Sequence, residues 1–392
     1  MGANRACEMT HTTSLAERRA EFTGSEQTER REFRLQVKDL EDFAQLASLY
    51  QSVYGDLPDG SGNDYYRWLY HENPSGRALI AGAESGGELV GHYAVVPFPI
   101  RWEGQDLTAG LGVHSLTRPD FQGRGIFVRL VTMVNEVAAR QGIDFTYVVP
   151  SAQADPWFRK ILRFQEASRV SLWIRLLRLA PMTPCLPNWA RFTGALLKGV
   201  DLSVAPALRT IVARANPYGL EVRKIDEFGL EFDVMWETAK DDFRFAIRRT
   251  REHLAWRFGK SSNREYLTWG AYNKERLVAY VVVRVRELSD YPGLTIGVIA
   301  DLFGTADAMG VSGARLLLAQ ALRAFSRQNI GACMMQLISP TFEPALRANG
   351  FFRVGQRFAE ARSVLYRSLR QDPIALPSAH DMQFTGGDHD MG

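Results

Sequence analysis

Apolar and polar residues alternate about a short polar turn in two places, and the surrounding pattern is the same both times. In the first, RALIAGAE (77–84) and LVGHYAVVPFPI (89–100) flank Ser85-Gly86-Gly87, which predicts an antiparallel strand pair. A helix is predicted ahead of it over LEDFAQLASLYQSVY (40–54), and a third strand follows in LTAGLGVHSLT (107–117). The chain then passes through TRPDFQGRG into an apolar-periodic helix from about Gly125 to Gln141, with Gly142 at the position that ends helices. DFTYVVP (144–150) reads as a strand rich in β-branched and aromatic residues, and ADPWFRKIL (154–162) as a short helix opened by Asp155 and Pro156. A strand, helix, strand passage over 107–149 requires a parallel crossover, so the class is mixed α/β.

The second place is a copy of the first. Trp68, Gly82, Ala83, Leu89, Val90 and Val95 recur without a gap as Trp256, Gly270, Ala271, Leu277, Val278 and Val283, each 188 residues later. With a small slip the match continues: Leu107-Thr108 with Leu294-Thr295, Gly125 with Gly313, Leu130 with Leu318, and Arg163-Phe164 with Gly350-Phe351. Two homologous domains are expected, at 32–170 and 218–370, which suits a chain of 392 residues. Residues 1–31 and 371–392 are polar and lack periodicity, so both are expected to lie outside the fold as disordered tails. The stretch 171–217 reads as an apolar helical connector, with Arg191, Lys198, Arg209 and Arg214 among apolar residues broken by Pro181, Pro184, Pro187 and Pro206. Its plain reading is packing between the domains. Its sharper reading is a weak peripheral membrane contact.

A formal net charge of only +3 gives no dense basic footprint, which argues against a nucleic-acid partner and for small-molecule chemistry. Cys7, Cys185 and Cys333 are too far apart to suggest a disulfide framework or a zinc site, and no apolar leader opens the chain. A reducing, cytoplasmic setting is the expectation.

The loop before the long helix is the candidate site. A helix N-terminus presents unpaired backbone N–H groups, and glycine lets the main chain approach an anion. In QGRGIF, Gly123 and Gly125 remove side chains where a pyrophosphate would sit, and Arg124 adds charge. Alone, a Gly-x-Gly turn is more often a plain connection between strand and helix.

In its context the loop says more. The order helix, hairpin, strand, Gln-x-x-Gly loop, helix, strand, short helix, Arg-Phe resembles the GNAT superfamily of acyl-CoA-dependent N-acyltransferases, whose signature Gln/Arg-x-x-Gly-x-Gly/Ala is met by Gln122 and Gly125. Phe127 stands where the family has a small residue, and is expected to turn into the core behind the first helical turn. The resemblance implies two tandem GNAT-like domains, each a mixed, mostly antiparallel twisted sheet with a parallel crossover at the cofactor loop and flanking helices. It also implies acyl-CoA, such as acetyl-CoA, as co-substrate, its pyrophosphate on backbone N–H groups from Gln122 through Gly123, Arg124, Gly125 and Ile126 to Phe127. The pantetheine arm would lie along Leu116 and Thr117 as an added strand does. The second copy, ADAMGVSGARLLL, has no glutamine and carries Asp301 and Asp307 upstream, so acyl-CoA is expected in the first domain alone.

Attack of an amine on a thioester needs a neutral amine, a place for the oxyanion and a proton for the leaving thiolate, and requires no metal. His114, on the strand just before the loop, is the candidate base, with a packed structural histidine as the plain alternative. The tyrosine that the family places four residues before a Gly-Phe pair is missing, since Arg159 precedes Arg163-Phe164 at that spacing. Tyr147 and Ser151 are the substitute hydroxyls, against a core role for Tyr147. Glu72 is a candidate for pairing with the amine. The expectation is direct N-acyl transfer, in the first place N-acetyl transfer, from the CoA thioester to a small-molecule amine such as an amino sugar or amino-acid derivative, in a ternary complex. A noncatalytic tandem protein that binds a metabolite or partner is the alternative.

Overall fold

The computed structural model describes residues 32–38, 43–55, 62–178, 181–182, 216–259, 264–288, 291, 293–328, 330–355, 362–375 and 382–389. The tail at 1–31 and most of the connector, including every charged residue named in it, lie outside the described residues.

The alternating segments form the expected hairpin, β2 (Leu79–Ser85) with β3 (Glu88–Trp102), with β1 (Arg34–Lys38) added at its edge. β3 pairs on its other side with β4 (Gln105–Thr117), and β4 runs parallel to β5 (Phe145–Val148). Between β4 and β5 the helix α3 (Ile126–Arg140) crosses one face, after α1 (Ala44–Tyr54) and α2 (Asn63–Tyr70) have covered the other. Because both faces are covered, β3 reads as a nearly continuous apolar run: Val90, Tyr93 and Val95 pack under α3, while Ala94, Val96, Phe98 and Ile100 pack on the opposite side. Gly142 ends α3 at φ 80° as its position predicted.

The second half repeats the order. β8 (Glu221–Ile225), β10 (Leu267–Asn273), β11 (Arg276–Glu287) and β12 (Thr295–Gly304) form the antiparallel part, and β13 (Ala332–Ile338) runs parallel to β12. The equivalents of α2 and α3 are the helices at Arg251–Phe258 and Ala308–Arg327. Trp68 and Trp256 meet face to face, ring centroids 5.3 Å apart, and each indole N–H donates to the other's backbone carbonyl, at 2.7 and 3.0 Å. Such reciprocity is the contact of a twofold-related pair, here within one chain. Burying roughly 200 Å² of each indole stabilises by about 5 kcal/mol before ordering entropy is subtracted.

The halves exchange strands. β6 (Gln165–Arg169) closes the first sheet, but the slot between it and β5 is filled by β15 (Ser363–Ser368), which arrives from the far end of the chain. In return β7 (Ser171–Leu176) fills the slot between β13 and β14 (Phe352–Arg353) of the second sheet. The start of the expected connector is therefore a sheet strand, and the second domain is not confined to 218–370.

A second correction concerns the C-terminal segment. Within the expected tail, β16 (Met382–Thr385) pairs with β13 and with β9 (Phe245–Ile247), and β9 pairs with β3, which joins the two sheets. Residues 382–389 are buried. Their polarity reads as a tail because their partners are distant: Asp388 accepts from Arg249 at 2.7 and 2.8 Å, and Arg249 also reaches Asp301 at 3.2 Å.

Candidate active site

β4 carries the site because it is bent. Leu116 pairs with His92 and Val113 with Ala94, so His114 and Ser115 together face Tyr93. His114 takes up this bulge at φ 49°, a left-handed conformation that costs a non-glycine residue about 1 kcal/mol. Below the bulge β4 and β5 pair at Ala109–Phe145, Gly110–Thr146 and Leu111–Tyr147, and beyond it they part. The gap opens into a cavity of about 810 Å³ walled by His114, Leu116 and Thr117, by 148–151 from the end of β5 onward, and by Gln122, Gly123, Gly125, Ile126 and Phe127.

Gly123 and Gly125 stand at φ 76° and 73°, and nothing lies within 4 Å of where a Cβ would be at either. The hydrogen bond from Arg129 N–H to Gly125 O (3.1 Å) belongs to the first turn of α3, so the amides of Ile126, Phe127 and Val128 precede it. No side chain caps this turn and no acidic residue lies in it. Backbone donors with room before them suit a diphosphate. Gly91 sets the helix close to β3, since a Cβ there would fall 2.6 Å from Ile126 Cγ2.

The second half closes the same mouth. Asp307 takes the N-cap place that Gly125 holds, and its carboxylate accepts from Gly310 N–H and from Thr305 Oγ1, both at 2.8 Å. Gly310 and Gly313, matched with the loop by sequence, lie inside the helix instead. Burial works against ionisation of Asp307, yet these hydrogen bonds outweigh it and hold its pKa below the ordinary value.

The loop side chains divide. Gln122 is exposed and its Nε2 donates to Thr117 O at 3.1 Å, closing the turn. Arg124 is corrected: its guanidinium lies over the Phe121 ring, 4.7 Å from the centroid, donates to Asp120 O, and is not on the cavity wall. Phe127 turns edge-on to Phe158, 5.3 Å between centroids, while forming part of the wall.

His114 Nδ1 lies 2.5 Å from Tyr70 Oη, and its ring is set edge-on among Tyr65, Tyr66 and Tyr70. In the tautomer that donates Nδ1–H to Tyr70, Nε2 is the proton acceptor. The His114 carbonyl accepts from His92 Nδ1 at 2.9 Å, which holds the bulge from behind. Burial depresses His92 from 6.5 to about 3, so above pH 6.5 the folded and unfolded chains both hold it neutral. As the pH falls from 6.5 toward 3 only the unfolded chain takes the proton, and at pH 5 this removes about 2 kcal/mol of stability. His92→Asn retains an N–H for the His114 carbonyl, and urea unfolding at pH 7 and pH 5 is expected to show acid sensitivity smaller by that amount.

Tyr147 and Glu72 are not at the cavity. Tyr147 is buried and its hydroxyl donates to Asp388 O at 2.7 Å, because the C-terminal segment packs against it. Glu72 is exposed on the turn after α2, outside the cavity wall. Ser151 is on the wall, its Oγ 3.4 Å from Ala154 N. Arg159, where the family places a tyrosine, is paired with Asp155 and Glu166, both at 2.6 Å. Sequence reasoning missed Tyr70 as the partner of His114, Tyr50 and Tyr54 on the α1 wall, and Arg362, which arrives just ahead of β15.

Residues 35–155 match the acetyltransferase (GNAT) domain family. The family assignment therefore covers the first half's sheet and cofactor loop, residues 35–155. No curated protein matches its sequence. Its structure is similar to a GCN5-related N-acetyltransferase from Anabaena variabilis, with TM-score 0.57 and 13% identity over 86% of this chain and 73% of that one. A GCN5-related N-acetyltransferase from Kribbella flavida gives TM-score 0.55 and 16% identity, over 86% and 71%. Saccharomyces cerevisiae N-myristoyltransferase with bound myristoyl-CoA gives TM-score 0.54 and 12% identity, over 89% and 84%. These likenesses are of fold, and they cover most of the chain, both halves included. Among the described residues no helix is long and apolar enough to cross a membrane.

Proposed function

We propose that this protein is an acyl-CoA-dependent N-acyltransferase that moves an acyl group to a small-molecule amine by direct transfer, with the reaction confined to the first domain. The observation that carries the proposal is the contrast between two helix mouths: the one at Gly125 is uncapped, free of acid and open beside a strand gap, and the one at Asp307 is filled by its own carboxylate. Acyl-CoA supplies the thioester. The amides after Gly125 hold its diphosphate, and the β4 edge beyond Leu111 offers main-chain groups to the pantetheine arm. His114 Nε2 takes the proton of the amine, with Tyr70 orienting the ring. Ser151 is the hydroxyl left on the opposite wall, in place of Tyr147. A ternary complex follows from one cavity holding both reactants.

The loss of Tyr147 from the site and the ion-paired Arg159 favour a second reading, a tandem GNAT-like protein that binds a metabolite without catalysis. Release of CoA thiol from acetyl-CoA in the presence of pooled primary amines separates the two. Catalysis is expected, and CoA binding without any amine-dependent thiol release would leave the binding reading. His114→Ala is expected to lower turnover about a hundredfold and to flatten the acid limb of the pH profile while CoA affinity holds. Full activity with the wild-type profile would dismiss the base role.

A further inference from the structure

One residue on the cavity wall, Arg362, is cationic, and it comes from the far end of the chain. β15 runs antiparallel to β5 with Leu365 opposite Val148, and continuing that register sets Arg362 level with Ser151. Its backbone is held there, because its carbonyl accepts from Val170 N–H at 2.8 Å.

Several other arginines are spent on carboxylates: Arg118 on Glu88 and Asp120, Arg159 on Asp155 and Glu166, Arg169 on Glu166, and Arg370 on Asp144. The Arg362 guanidinium has no hydrogen bond or ion pair among the described residues. It is also the one charged side chain on the cavity wall among them. A partly desolvated arginine with no partner is unfavourable unless a ligand completes it, and its planar fork fits a carboxylate through two parallel hydrogen bonds.

Resting on the acyl-transfer reading of this cavity, we infer that the acceptor is an amine that also carries a carboxylate, and that Arg362 selects it. The diphosphate has the amides after Gly125. Arg362 lies across β5 from them, so it is left for the other reactant. Strand exchange gives the arrangement its logic: the residue that chooses the acceptor belongs to the second half of the chain, and the first domain's site is incomplete without it.

The test compares wild type with Arg362→Gln by calorimetric titration of 3-phenylpropionate and its neutral isostere 3-phenylpropionamide, with and without saturating CoA. Wild type is expected to bind the acid about tenfold more tightly than the amide, the worth of one charge-assisted contact. Arg362→Gln is expected to bring the two within about twofold while binding CoA as wild type does, with its melting temperature unchanged since no partner among the described residues is lost. Equal binding of acid and amide by wild type, binding of neither, or a preference that survives the substitution overturns the inference. So does a variant that loses affinity for CoA but not for dephospho-CoA, which assigns Arg362 to the 3′-phosphate. Failure of wild type to bind CoA would instead strike the acyl-transfer reading, and the titrations without CoA still decide the role of Arg362.

Discussion

Gly125→Glu is expected to abolish the rise in melting temperature that CoA and acetyl-CoA give the wild-type protein, and to weaken CoA binding about a thousandfold. The size follows from electrostatics: a carboxylate held about 4 Å from one phosphate charge, at the effective dielectric of a protein surface, costs about 4 kcal/mol, and binding raises the melting point only where the ligand concentration approaches or exceeds Kd. The change has room to be made, since nothing lies within 4 Å of the added Cβ. Its direct structural cost is the backbone at φ 73°, about 1–2 kcal/mol. Gly125→Ala bears the same strain without the charge, so it is expected to melt lower than wild type and still bind CoA. A Gly125→Glu protein whose CoA response equals that of Gly125→Ala would remove the helix mouth from the mechanism.

Arg249→Met is expected to destabilise the chain by about 3–5 kcal/mol, read from urea unfolding at neutral pH. Arg249 is 1% exposed and lies between Asp301 and Asp388, which are buried as well. Burial, with the Asp301 carboxylate beside it, holds Asp388 above the ordinary carboxylate range despite the arginine. Methionine fills much of the volume but leaves two buried carboxylates facing each other. Asp388 belongs to the segment that meets Tyr147 and caps Thr385, so the loss is expected to release that segment as well. Arg249→Met with wild-type stability would show that the cluster is held by packing alone.

Much of the fold was legible because it is local. The period-2 runs on either side of Ser85-Gly86-Gly87 gave β2 and β3, Gly142 ended α3, and the recurrence of Trp68 as Trp256 disclosed the twin before any contact was known. At the site, Gly123 and Gly125 were legible for the same reason, since a left-handed backbone asks for glycine. His114 was singled out by its place on β4, but neither its bulge nor its tyrosine partner could be read there. Arg124 failed because a guanidinium has a choice of surfaces, and the Phe121 ring was nearer than the cavity. Tyr147 failed because period-2 alternation does not say which face of β5 will be covered by a segment 241 residues away.

The sequence by itself determined the class, the duplication, the glycine loop and the asymmetry between its two copies, all of which depend on backbone preference and short-range pattern. Only the tertiary structure decided that strands are exchanged, that a polar C-terminal segment is core, and that Arg362 joins a cavity built by residues more than two hundred positions earlier in the chain. The physical reason is that polar groups acquire their meaning from partners: the same aspartate or arginine is a solvated tail residue or a buried ligand-holder according to what distant contacts supply.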